Sequence, residues 1–249
     1  DGAYKLQMQG ALIANGSSSQ PITFTSREAG VSSGATMLVF EETNLSNSQM
    51  SYIRMEYAEH GIQIGSSGDN PKNTGILEID YLDIEEAAIL DSGQNAATAG
   101  LSLDNSTFNS MALKQTGYAC SLSIQITNAT INNSDLKWGW NSNESFFDCN
   151  QTTAPTFLMQ DSTITASLLT GTSCSDATCQ NKISVHNSTL NHSCFGRSSS
   201  QLFGDGTIPR FNITDSNLNN TCLDGESGYI GSSTLVFDAE DDNVFHDKC

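Results

Sequence analysis

Carboxylates supply most of the reactive groups in this chain. Glu56, Glu59, Asp80, Asp83, Glu85 and Glu86 crowd one stretch around His60. Two carboxyls about 5–9.5 Å apart can hydrolyse a glycosidic bond, one as acid and the other as base or nucleophile. The competing reading is that these acids lie on outward strand positions and are solvated, and it is the one adopted. A second acidic run, Asp238, Glu240, Asp241 and Asp242, offers the oxygen donors that Ca²⁺ takes. It lacks the glycine and spacing of a calcium loop, so it reads first as a charged cap. The four histidines, His60, His186, His192 and His246, have no metal-ligand spacing with a cysteine pair. Nucleophilic-serine motifs and phosphate-binding glycine loops are absent. The expectation is a chain that is not an enzyme, with no catalytic residue, no metal and no cofactor.

The elements that carry these side chains are set by a repeat. Five segments share one pattern: Leu103-Asp-Asn-Ser-Thr-Phe108, Ile126-Thr-Asn-Ala-Thr-Ile131, Met159-Gln-Asp-Ser-Thr-Ile164, Val185-His-Asn-Ser-Thr-Leu190 and Ile213-Thr-Asp-Ser-Asn-Leu218. Their closing apolar residues lie 23, 33, 26 and 28 apart, a period that marks a stacked array. Seven and five residues before each closing residue the chain is apolar again, as at Leu101/Leu103 and Ile183/Val185. That alternation is a strand with one buried face. Five residues after it stands another apolar residue: Leu113, Leu136, Leu169, Phe195 and Leu223. Each coil is therefore several short strands separated by bends. Asn or Asp marks the first bend, because both tolerate left-handed backbone and hydrogen-bond locally. Looser versions occur at Ile53-Arg-Met-Glu-Tyr57 and Ile79-Asp-Tyr-Leu-Asp-Ile84.

Parallel coils stack at about 4.8 Å, which brings equivalent residues within disulfide range. Cys194 and Cys222 both fall four residues after a closing apolar residue and are expected to bond. Cys120 with Cys149 and Cys174 with Cys179 are compatible pairings, although spacing alone fixes no connectivity. Cys249 is then left over, either as an intermolecular tether or as an effect of where the sequence stops.

Eleven Asn-x-Ser/Thr sequons are present: Asn15, Asn44, Asn105, Asn128, Asn132, Asn143, Asn150, Asn187, Asn191, Asn212 and Asn219. With seven cysteines they point to a secreted, N-glycosylated, extracellular protein. Asn105, Asn128 and Asn187 share the bend position, where stacked asparagines can also form a hydrogen-bonded ladder. Asn132, Asn191 and Asn219 follow the closing apolar residue and should face outward, so this column is the more reliably glycosylated one. Trp138 and Trp140, with Phe146 and Phe147, lie in the longest coil. They are candidates for stacking on sugar rings or anchoring a partner, or for folding inward over the rod.

Composition narrows the partners. The formal charge is −18, with 28 acids against 10 bases, so neither nucleic acid nor an anionic membrane is an expected partner. No apolar window is long enough to span a bilayer. The first residue is Asp1 and no signal peptide is visible, which suggests a processed chain or a piece of a longer precursor.

The pattern resembles the right-handed parallel β-helix of the pectin-lyase-like superfamily. Gly10-Ala-Leu-Ile-Ala-Asn-Gly-Ser-Ser-Ser-Gln-Pro-Ile-Thr-Phe-Thr-Ser26 is similar to the opening coil of many secreted members. Tyr52-Ile-Arg-Met-Glu-Tyr-Ala-Glu-His-Gly-Ile62 is similar to an internal coil. The resemblance implies an all-β fold, a single parallel β-helix domain over residues 1–249. It would have about nine coils and be about 45 Å long. The architecture hosts lyases, hydrolases, adhesins and structural proteins, so it does not select an activity. The leading expectation is a structural glycoprotein that stacks head-to-tail with copies of itself into a fibril or coat. A surface adhesin or carbohydrate-binding module comes second, and a polysaccharide lyase or hydrolase last.

Overall fold

The computed structural model describes residues 5–25, 36–65, 73–91, 99–115, 122–138, 156–172, 182–198, 210–224 and 244–246. These segments form a right-handed parallel β-solenoid. One coil shows the rule for the rest. Gly100–Asp104, Thr107–Asn109 and Ala112–Gln115 are three short strands joined by two abrupt corners. Each strand pairs in parallel with its counterpart one coil away, so three parallel sheets run along the rod.

The core consists of three columns of apolar side chains. In the first sheet, Leu103, Ile126, Met159, Val185 and Ile213 lie one above another. The second sheet stacks Phe108, Ile131, Ile164, Leu190 and Leu218. The third stacks Leu113, Leu136, Leu169, Phe195 and Leu223. The column residues from Leu103 to Leu218, with Leu113, Leu136, Leu169 and Phe195 among them, are buried, and each such side chain contributes about 1.5–3 kcal/mol by leaving water. The alternation read from the sequence thus places the right residues inside.

The corners follow from backbone sterics. Asn105, Asn128, Asp161, Asn187 and Asp215 hold φ between 45° and 53°, in the left-handed region that Asn and Asp tolerate best. A second left-handed corner follows five residues later at Ser110, Asn133, Ala166, His192 and Asn220. The sequence pattern did not announce this second corner, because its residue types vary. Two such corners turn the chain from the first sheet to the second and then to the third. The longer connections from the third strand of each of these coils to the first strand of the next lie outside the described residues.

The coil count differs from the nine expected. About four turns repeat the full geometry. Toward the N-terminus the pairing continues in register, with Ala14 beside Met50 and Met50 beside Ile79. There, however, the three-strand unit loses its regularity. Gln49–Ile64 and Ile76–Asp91 run as unbroken strands through their corners, and the register slips between Ala58 and Ile62. Tyr52, Tyr57, Tyr81 and Glu86 take the left-handed positions there, so the Asn-Ser signature is missing.

Candidate functional site

Two hydrogen-bonded ladders hold the corners together. The residue after each first corner is a buried serine in most coils: Ser106, Ser162, Ser188 and Ser216. Its hydroxyl donates to the carbonyl two residues earlier, as Ser162 Oγ does to Gln160 O at 2.7 Å. The same oxygen accepts the backbone N–H of the equivalent residue in the coil before. Leu82 N donates to Ser106 Oγ at 3.2 Å, Ala129 N to Ser162 Oγ at 3.1 Å, and Ser162 N to Ser188 Oγ at 3.1 Å. A parallel set at the second corner links Met111 N to Ser134 Oγ and Ser134 N to Ser167 Oγ. Tight corners direct backbone N–H groups into an apolar core, where an unmet donor costs about 1–3 kcal/mol. The serines meet that demand.

The second ladder involves the sequon asparagines. Asn105 Nδ2 donates to Asp80 Oδ1 at 2.9 Å, Asn128 Nδ2 to Asp104 Oδ1 at 3.0 Å, and Asn187 Nδ2 to Asp161 Oδ1 at 2.5 Å. The nitrogen that would carry a glycan therefore already bonds to the coil below. Asn128 and Asn187 are exposed, whereas Asn105 is half-buried. The outward column behaves similarly. Asn132 Nδ2 donates to Asn109 Oδ1 at 3.0 Å, and Asn219 Nδ2 to Asn191 Oδ1 at 2.8 Å. Asn132, Asn191 and Asn219 are half-buried against their neighbours.

The remaining sequons are dispersed. Asn15 is exposed and accepts from Ser51 Oγ at 3.2 Å. Asn44 caps a short helical turn by accepting from Ser46 N at 3.1 Å. A Cβ at Gly75 would collide with the Asn44 side-chain oxygen, so Gly75, at φ 71°, is needed there. Asn212 is half-buried in the first sheet beside Ser184. Asn143 and Asn150 lie outside the described residues.

Cys194 is disulfide-bonded, and its register neighbour one coil on is Cys222. Cys120, Cys149, Cys174, Cys179 and Cys249 lie outside the described residues, as do Trp140 and the run from Asp238 to Asp242.

Trp138 requires a correction. It is only 2% exposed. Its ring tilts against Phe157 at 5.9 Å, and its Nε1 donates to Leu122 O at 3.0 Å. It fills the core at the end of the strand Asp135–Trp138 and cannot present its ring to a sugar.

The carboxylate stretch is a surface network. Arg54 Nε reaches Glu56 Oε1 at 2.6 Å and Asp83 Oδ2 at 3.5 Å. Glu56 and Glu85 are register neighbours. Burial pushes the Asp83 carboxyl above its ordinary range, Arg54 pulls it back, and Glu85 and Glu56 add to the rise. His60 faces Thr36, with Nδ1 and Oγ1 3.2 Å apart. Burial holds it below the usual imidazole value, against Glu59, which raises it. His186 Nδ1 lies 2.8 Å from Thr214 Oγ1 and 3.3 Å from Asp215 Oδ2, while His192 Nδ1 lies 3.4 Å from Asn220 Nδ2. Among the described residues, no group of three or more His, Cys, Asp or Glu side chains could hold a metal ion.

Sequence reasoning singled out Asn132, Asn191 and Asn219 as an outward column but passed over the threonine row beside it. The outward face of the second sheet carries two straight rows. Thr107, Thr130, Thr163 and Thr189 form one, followed by Asn217. Asn109, Asn132, Thr165 and Asn191 form the other, followed by Asn219. The signal was present in the repeat, as the residues on either side of each closing apolar position.

No protein-family model, curated protein or solved structure matches this chain.

Proposed function

We propose that this chain is an extracellular structural glycoprotein, a subunit that stacks end-to-end with copies of itself into a fibril or coat. The supporting observation is the in-register ladder at the N-terminal side of the described residues. Leu6 continues the column of Leu38 and Ile62, yet it is 53% exposed where Leu38 is fully buried. A strand edge with exposed apolar side chains is a template for another strand, and head-to-tail contacts that do not close make filaments. The sequons give the reading its secretory setting, with glycans expected at part of the set. The seven cysteines are read as Cys194–Cys222 and further disulfides, with Cys249 as a tether between subunits.

Electron microscopy of the glycosylated protein, unreduced and at near-physiological salt, tests this reading. Filaments with a regular axial repeat are expected, and Leu6→Lys should disperse them. Isolated rods at high concentration would remove self-assembly as the function.

A second reading is a surface adhesin that binds carbohydrate. It is favoured by the lengths of the segments that follow the third strand of successive coils, since long connections on a rigid scaffold commonly carry binding residues. Trp140 belongs to one of these connections. Glycan-array binding that Trp140→Ala abolishes would select this reading. A polysaccharide lyase or hydrolase remains the last choice, and turnover of plant or algal polysaccharides would be needed to revive it.

A further inference from the structure

The two outward rows of the second sheet carry an inference of their own. From the Thr107 coil to the Asn217 coil, all ten outward positions are threonine or asparagine. None is charged, on a chain whose formal charge is −18. The matching positions one and two coils earlier are Asp83 with Glu85 and Arg54 with Glu56, so neutrality begins abruptly. The neighbouring sheets mix types on their outward faces, with Lys114, Asp135 and Lys137 on the third and Asp104 and His186 on the first.

The rows are also rigid. Threonine is restricted at χ1 by its branched Cβ. Asn132 is tied to Asn109, and Asn219 to Asn191, by side-chain hydrogen bonds. The coil beneath is fixed by the serine ladder. Hydroxyls, amides and methyls are thus held in a lattice of about 4.8 Å along the rod and about 6.6 Å along each strand.

A partner for such a face must itself be neutral, flat and periodic. The face measures only about 20 Å by 10 Å, far below the area of about 800 Å² per side that a stable protein interface buries, which argues against a second copy of the chain. Crystalline water fits better. Tetrahedral water with hydrogen bonds of about 2.75 Å places second neighbours about 4.5 Å apart. Its perpendicular repeat is eight-thirds of that bond, about 7.3 Å. The mismatch is about 0.3 Å per coil along the rod and about 0.7 Å between the two rows. With the middle coil of five aligned, the outer coils are displaced by about 0.6 Å, about a fifth of one hydrogen bond.

We infer that the threonine and asparagine rows of the second sheet form an ice-binding face. Threonine suits this role, since its hydroxyl can join a water lattice while its methyl orders the water beside it. The face works where Asn132, Asn191 and Asn219 carry no glycan, because a sugar on any of them would hold a crystal away. This inference is independent of the stacking proposed above, which uses the ends of the rod.

The test uses the full chain, folded with its disulfides, from a host without N-glycosylation. Adsorption of labelled protein to single-crystal ice and the freezing-point hysteresis gap are measured for wild type, Thr130→Lys, Thr163→Lys and Gln125→Lys. Thr130, Thr163 and Gln125 are all exposed, and the third lies on the first sheet, so circular dichroism should show all four folded. Wild type and Gln125→Lys should adsorb equally, and each threonine variant should lose at least tenfold in the gap. The inference is overturned if wild type leaves ice unlabelled, or if both threonine variants, Thr130→Lys and Thr163→Lys, adsorb as wild type does. Retention on crystalline chitin or cellulose without adsorption to ice would also overturn it and assign the face to a polysaccharide lattice. The threonine variants sit on different coils, so misfolding of one leaves the other to decide.

Discussion

The backbone N–H of Ala129 donates to the side-chain oxygen of Ser162, 3.1 Å away and 33 residues later. Ala129 has no hydroxyl to offer the coil before it, although Ser106 stands directly below. The ladder that runs through Ser162, Ser188 and Ser216 is therefore interrupted at one coil. The first two predictions follow from this break.

Ala129→Ser should stabilise the protein by supplying an acceptor for the Ser106 backbone N–H. A net hydrogen bond is worth about 1 kcal/mol, and at this size that raises Tm by about 2–4 °C. A thermal melt of variant against wild type checks it. An unchanged or lowered Tm would show that the corner has no room for the hydroxyl.

Ser162→Ala is expected to do the reverse and to do more. It strips the acceptor from Ala129 N and leaves that donor buried, at a cost of about 1–3 kcal/mol. Denaturant unfolding should show a lower midpoint with an unchanged slope. Ser162→Thr, which keeps the hydroxyl, should recover part of the loss if the extra methyl fits.

At the first corner, Asn128→Gly should be tolerated and Asn128→Val should not. Asn128 holds φ 53°, where a residue with a Cβ pays about 1–2 kcal/mol and a β-branched one more. Both variants remove the same sequon and the same bond to Asp104. Their difference in unfolding free energy therefore isolates the backbone term, and equal stabilities would contradict it.

Mapping of disulfides by peptide mass should recover Cys194 joined to Cys222, its register neighbour. In the chain-entropy account, closing a loop of this length stabilises by about 3–4 kcal/mol. Cys194→Ser should lower stability by up to that amount and leave the circular dichroism spectrum unchanged at low temperature. A peptide joining Cys194 to any other cysteine would break the proposed register of the covalent links.

His60 and Asp83 should act on acid stability in opposite directions. His60 has its folded pKa lowered by burial. Its contribution is therefore present above the ordinary value of 6.5 and is lost as pH falls toward the folded value. Asp83 has its folded pKa raised by burial. Its contribution is present below the ordinary 3.8 and is lost as pH rises through the folded value. Between pH 7 and 5 wild type should lose more stability than His60→Gln, whereas Asp83→Asn should flatten the profile only near pH 4. Parallel profiles for wild type and His60→Gln would show that the imidazole titrates alike in both states.

The periodicity of the chain made much of the fold legible. A solenoid coil meets the same neighbours again and again, so each apolar position reports its place without reference to distant parts of the chain. Leu103, Phe108 and Leu113 point inward because alternation and bend spacing leave them no other side. Asn105 and Asp161 marked their corners because few residue types tolerate left-handed backbone. The irregular coils around Tyr52 and Tyr81 were harder to read. Their corners are occupied by tyrosines stacked 4.4 Å apart, which in a sequence look like ordinary strand residues.

What the sequence determined alone is the identity of the coil: which residues face in, where the first corner falls, and which cysteines and asparagines share a position. These are local consequences of side-chain alternation and backbone sterics. What only the tertiary structure decided is how one coil meets the next. The buried serines acquire their purpose from a backbone N–H in another coil, and Trp138 turns inward because Leu122 and Phe157 stand beside it. The threonine rows become a lattice only when equivalent strands pair in register. Contacts between coils depend on register and distance, which a single coil's sequence does not contain.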